Sequence, residues 1–238
     1  MKKLLYLMLL LPLLMTACGK SSSQQKGEGD TIRHITVASV PVSVDSAALQ
    51  LYQQGVTLLY GDGNNISPVS ADTARMAADL FRQAIEKDSS CVLAYNTLVQ
   101  VYYALGEEKE ALATVSAMES RFPDYPDVNL LHAFLLDVLK QPAEAEVQYR
   151  QAVAKWDSLL ATDGVDVSME VNRAMAVSMV EGQKKFVSEL IKAVRSDKYN
   201  VAEREMLEQL IDASREPYSR NDLANVTIKG ALKVVSGK

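Results

Sequence analysis

Side chains able to do chemistry are scarce in this chain. Its 238 residues include two cysteines, two histidines and one tryptophan. No Cys-x-x-Cys pair, His-Glu-x-x-His run or glycine-rich phosphate loop occurs, so no metal, nucleotide or other cofactor is expected. His34 and His132 are the two imidazoles, and a Cys91–His132 dyad would lack an orienting third group and an oxyanion site. The enzyme reading therefore has no residues to carry it. A net charge of −5 argues against a polyanionic partner such as nucleic acid. With Cys18 committed as argued next, Cys91 is a lone thiol and no intramolecular disulfide can form. It reads as a small, half-buried residue at a helix start.

Long apolar runs are also missing. The longest, Leu4 to Leu14, is shorter than the ~20 residues that span a bilayer. It follows Lys2 and Lys3 and ends in Met15-Thr16-Ala17-Cys18. That pattern resembles a bacterial lipoprotein signal, with Met15 where leucine is usual. The resemblance implies that residues 1–17 are a signal peptide and that Cys18 carries lipid. The alternatives are an ordinary secretory peptide with a chance cysteine, or an N-terminal membrane anchor. Acyl chains on Cys18 would bury tens of CH₂ groups at roughly 0.8 kcal/mol each, enough for stable anchoring. Gly19 rather than Asp follows the cysteine, and no acidic cluster comes immediately after it. For such lipoproteins this implies the outer membrane, facing the periplasm. Loss of Lys2 and Lys3 makes the mature chain more acidic still.

Residues 18–45 read as the lipidated cysteine, a small polar tether (19–30) and an extended segment. In 33–44, branched and small residues alternate as in a strand, but Pro41 and the lack of a convincing partner strand favour an extended piece laid along the first helix. From Ser46, a plausible N-cap, the period becomes helical. Helices are predicted over about 46–60, 72–87, 92–105, 109–121, 127–139, 142–160, 168–180, 184–195 and 201–215. Gly106, Pro123 and Gly182 punctuate them, and Pro142 suits a first turn. Together they make a domain over 46–216. Residues 217–238 form a closing helix or a tail, opening with Ser219-Arg220-Asn221-Asp222 as a capping box.

The strongest signal is a period. Ala77, Ala111 and Ala145 recur every 34 residues, each followed four positions later by Phe81, Val115 or Tyr149, and seven later by Ala84, Met118 or Ala152. One helix pair cannot bury its apolar face alone, so such units must stack. The pattern resembles the tetratricopeptide repeat family, best over 92–125 with Tyr95, Leu98, Tyr102, Gly106, Ala111 and Pro123. Val99, Val115 and Met118 depart from it. The flanking units keep Leu51, Gly55, Leu58, Phe81 and Ala84 on one side and Ala133, Leu136, Tyr149 and Ala152 on the other, and a weaker unit fits 168–201. The resemblance implies an all-α fold, a right-handed α-solenoid of antiparallel helix pairs.

It also implies a concave groove lined by the first helix of each pair. Carried over position by position, the groove takes Tyr52 and Val56, then Asn96, Gln100 and Tyr103, then Leu130, Phe134 and Asp137, then Asn172, Ala176 and Met179. The binding set is Tyr52, Asn96, Gln100, Tyr103, Phe134, Asp137 and Asn172. Rings supply contact area and amides satisfy an extended peptide's backbone. Aromatic residues at helical spacing are also common in cores, so Tyr103 and Phe134 carry both readings. The places where some relatives clamp a peptide carboxylate hold Tyr52, Val56, Thr97, Asp127 and Leu131, so that clamp is absent. The expectation is a membrane-anchored scaffold or assembly factor of the bacterial envelope that binds an envelope protein or peptide segment. The alternatives are binding of a glycan or other extended polymer, and a part in outer-membrane protein assembly. Trp156, the obvious sugar platform, falls off the groove.

Overall fold

The computed structural model describes residues 32–37, 40–61, 68–161, 167–214, 218–229 and 232–235. Residues 1–17, expected to be a signal peptide, and Cys18 with the expected tether lie outside the described residues. Two compact units are present: one ends at Pro123 and takes in the C-terminal residues from Ile228, and the other holds Asp124–Thr227. Among the described residues there are ten helices and two small two-stranded sheets. The fold is all-α, built from antiparallel helix pairs.

The first unit opens with β1 (Ile32–Val37) and β2 (Val40–Asp45), followed by α1 (Ser46–Tyr60), β3 (Val69–Ser70), α2 (Ala71–Lys87), α3 (Val92–Leu105) and α4 (Glu108–Arg121). Two expectations change here. Residues 33–44 are not one extended piece: β1 and β2 pair antiparallel, with Thr36 opposite Pro41. The branched alternation did mark strands, and proline is tolerated in an edge position. The cap of α1 is Asp45 rather than Ser46, its carboxylate accepting from the N–H groups of Ala47 and Ala48 at 2.8 and 3.2 Å. An ionised cap also complements the helix dipole. Asp45 N–H in turn donates to Asp88 at 2.7 Å, and Ser90 Oγ donates to the Ser43 carbonyl at 2.7 Å, so the end of β2 is tied to the α2–α3 turn. Gly106 ends α3 in the left-handed region at φ 75°, where a side chain would be strained. The chain's last strand, β4 (Val234–Val235), pairs in parallel with β3, with Val69 N–H donating to the Lys233 carbonyl at 2.9 Å.

The second unit contains α5 (Pro126–Val138), α6 (Pro142–Leu160), α7 (Val167–Glu181), α8 (Gln183–Val194), α9 (Val201–Ala213) and most of α10 (Arg220–Lys229). Pro142 stands in the first turn of α6, as expected, and Asn200 with Glu203 forms a reciprocal capping box on α9. Residues 217–238 do contain a closing helix. Ser219 caps it, accepting from Asp222 N–H at 3.0 Å and donating to the Asp222 carboxylate at 2.6 Å.

All nine residues of the 34-residue pattern are buried: Ala77, Ala111, Ala145, Phe81, Val115, Tyr149, Ala84, Met118 and Ala152. The alanines allow close helix approach and the larger residues fill the space beside them. Gly55 follows the same logic, since a Cβ there would sit 2.6 Å from the Phe81 ring. Each unit also carries cross-helix polar ties. In the second, Arg173 of α7 reaches both Asp157 of α6 at 2.5 Å and Glu189 of α8 at 2.7 Å.

Candidate functional site

In the first unit the predicted groove residues are partly buried. Asn96, Gln100 and Tyr103 lie at i, i+4 and i+7 on α3, so they share one face, and all three are only partly buried. Tyr52 and Val56 on α1 are likewise partly buried, and the Tyr52 ring tilts against Phe81 at 5.7 Å. Burial lifts the Tyr103 phenol above its ordinary pKa, with Glu108 adding to the effect, so the hydroxyl stays a neutral donor. This face offers a ring, an amide pair and no net charge.

The second unit behaves otherwise. Phe134, Asp137 and Asn172 are buried, and so are Leu130, Ala176 and Met179. They do not form an open binding face as they stand. Phe134 packs edge-on against Tyr149 at 5.7 Å. Asp137 accepts from Tyr149 Oη and from Arg220 Nε, both at 2.7 Å. Asn172 donates to Asp127 at 2.9 Å, bridging α7 to α5. A buried amide or carboxylate needs such partners, because leaving it unmatched costs about 1–3 kcal/mol or more. Burial pushes the Asp127 carboxyl up to about 6, against the pull of the Asn172 hydrogen bond. The Tyr149 phenol is raised well above its usual range by burial and by Asp137.

Three other residues singled out in the sequence have structural places. Cys91 is fully buried at the start of α3, and burial pushes its thiol up to about 11. Such a thiol is inert at neutral pH. Trp156 is fully buried, so it is not a sugar platform. His132 is partly buried within α5. Among the described residues no group of three His, Cys, Asp or Glu side chains could hold a metal ion, and no helix is long and apolar enough to cross a membrane.

Sequence reasoning missed one surface. A shallow open groove of about 520 Å³ in the first unit is lined by Gln50, Gln53, Gln54, Thr57, Leu58 and Leu80. Its signal was legible, because Gln50, Gln53, Gln54 and Thr57 repeat at helical spacing on α1. The lining carries no charge and mixes amides with two leucines.

These helix pairs have a known counterpart. Residues 70–135 match the tetratricopeptide repeat family. A repeat of that type therefore occupies α2 to α5, the stretch where the alanine period is clearest. No curated protein and no solved structure matches the chain.

Proposed function

We propose that this protein is a lipid-anchored scaffold of the bacterial envelope, held through Cys18 at the periplasmic face of the outer membrane, which binds a segment of a partner protein against α3. The observation that carries the binding half is the α3 face of Asn96, Gln100 and Tyr103, partly open within a tetratricopeptide-type repeat. A repeat solenoid works by presenting surface, and amides beside a ring satisfy a peptide's backbone while excluding water from it. The sequence from Lys2 to Cys18 supports the anchoring half. An acidic chain on a lipid tether suits a protein partner better than a polyanion.

The test is crosslinking in intact cells with a photoreactive residue at Gln100 and a control at exposed Glu110. One dominant protein adduct at Gln100 and none at Glu110 is expected. Equal labelling at both positions, or none at Gln100, refutes the α3 face as the binding site. Anchoring is read separately: labelled fatty acid should enter the wild-type chain and not Cys18→Ala, which should leave the membrane fraction. Retention of Cys18→Ala in membranes overturns the lipid anchor.

A further inference from the structure

α1 carries the wrong surface for its place. Among the described helices it packs substantially against α2 alone, whereas α2 and α3 each have two helix neighbours. α1 therefore ends the run of helices in the first unit and keeps one long side open. The terminal unit of a repeat array ordinarily presents a polar outer face, rich in charge. Yet none of the 15 residues of α1 is charged, in a chain where 23% are. Its exposed positions hold Gln50, Gln53, Gln54 and Thr57. Beside them Leu58 of α1 and Leu80 of α2 complete the shallow groove of about 520 Å³. Met76, one turn before Leu80 on α2, is 57% exposed. The charges of the middle of α2 turn elsewhere: Arg75 reaches Glu107, the cap of α4, at 3.2 Å, and Arg82 pairs with Asp79.

We propose that this α1–α2 groove is a self-association surface, on which a second copy of this chain docks its own α1–α2 groove about a two-fold axis. Two properties select a second copy over a different protein. Glutamine amides carry both donors and acceptors, so the same row read in the opposite direction satisfies itself. Two chains of net charge −5 repel where their charges meet, and here neither brings a charge. Leu58, Leu80 and Met76 are then covered by their own counterparts rather than left to water. The area fits a reversible pair. Helices of 15 and 17 residues side by side are about 22–25 Å long and ~10 Å across, a footprint of roughly 500 Å² per copy. A total of about 1,000 Å² is at the small end for a specific interface. Such a pair dissociates readily unless the copies are confined together, as lipid anchors on one membrane would do. Tyr52 and Val56 stand about half a turn round α1 from Gln50 and Gln54, so this surface is not the one that the α3 reading uses.

The test is photocrosslinking of the full chain in intact cells, with the reactive residue at Gln54 and a control at exposed Glu110. The expected main adduct at Gln54 joins two copies of this chain, maps to α1 or α2 of the second copy and is absent at Glu110. Gln50→Glu and Gln50→Lys, both at an exposed position, should each lower that adduct about tenfold, because each places two like charges in one uncharged interface. Cells making both variants together should regain it between unlike copies. Loss with glutamate but gain with lysine would mean that net charge alone governs association, and overturns the groove. So does a main adduct with a different protein, one mapping outside α1 and α2, equal labelling at Glu110, or no adduct at Gln54. The Gln100 crosslink reads α3 separately, so this pairing and the scaffold reading can fail independently.

Discussion

A close helix approach in the first unit gives a prediction whose sign reverses with context. Gly55 lies in the middle of α1, where alanine would be better by about 0.8–1.0 kcal/mol on helix propensity alone. Phe81 explains why glycine stands there. A Cβ on residue 55 would lie 2.6, 2.8 and 3.0 Å from three atoms of that ring, against the roughly 3.5–4.0 Å of a relaxed carbon contact. The ring is fully buried and leans on Tyr52, so it cannot retreat without disturbing its own packing. Overpacking of this kind costs about 1–3 kcal/mol. Gly55→Ala should therefore be neutral to about 2 kcal/mol destabilising, the clash outweighing the propensity gain.

In a Phe81→Leu background the obstructing ring edge is gone. Gly55→Ala should then stabilise by up to about 1 kcal/mol, although Phe81→Leu itself lowers stability by roughly that much. The coupling between the two sites is the measured quantity, from urea unfolding of wild type, both single variants and the double variant with unchanged m values. A coupling near zero, with Gly55→Ala stabilising in both backgrounds, refutes the argument that Phe81 selects the glycine.

Two carboxylates shape the pH dependence in opposite directions. Asp127, raised from 3.8 to about 6, is protonated more readily folded than unfolded, so its penalty is absent below pH ~4 and complete above pH ~6. Asp127→Asn should raise stability at pH 7 by about 1–3 kcal/mol and flatten the rise seen on acidifying from pH 7 to 5 in thermal melts; destabilisation at pH 7 refutes this. Partial burial works to raise the Asp88 pKa, but hydrogen bonds from Asp45 N–H and Ser90 hold it below its ordinary value. Its contribution is present above pH ~4 and lost below, so Asp88→Asn should blunt the acid limb of the same profile. Cys91 should resist thiol reagents at pH 8 in the native state and react only on unfolding, and fast native labelling would show the site is open. Ala111→Leu should lower stability by about 1–3 kcal/mol in urea unfolding, because a fully buried crossing residue has no room for a larger side chain.

Much of the fold was legible because it is local. Helical period, alanine spacing and punctuation by Gly106, Pro142 and Gly182 bring the predicted helix limits within one or two residues of those found. The misses have different physical origins. Asp45 displaced Ser46 as cap because the two stand side by side and a carboxylate can serve two N–H groups at once. The β1–β2 pairing was discounted because Pro41 reads as a breaker, although an edge position spares its missing N–H. The β3–β4 pair is two residues long on each side, too short for any alternation to show.

The candidate site divides along the same line, and the division has a cause. A repeat pattern states which side of a helix faces its neighbours in the stack; it is silent on what else the chain lays over the remaining side. On α3, Asn96, Gln100 and Tyr103 are partly open. On α5 the same position-by-position transfer put Asp137 on an open face, yet its partner Arg220 lies 83 residues further on. No window of the sequence joins those two residues. The hint was chemical: an acid at an inner-face position, and a capped segment near the C-terminus whose Arg220, Leu223, Ala224 and Thr227 share one helical stripe. An inward-facing charge in a repeat protein demands an opposite charge from somewhere, because a desolvated carboxylate left alone is expensive. Asking what supplies it would have pointed either to a ligand or to the chain's own tail. In this structure Arg220 of the tail supplies the opposite charge, and Tyr149 Oη adds a second hydrogen bond, both at 2.7 Å.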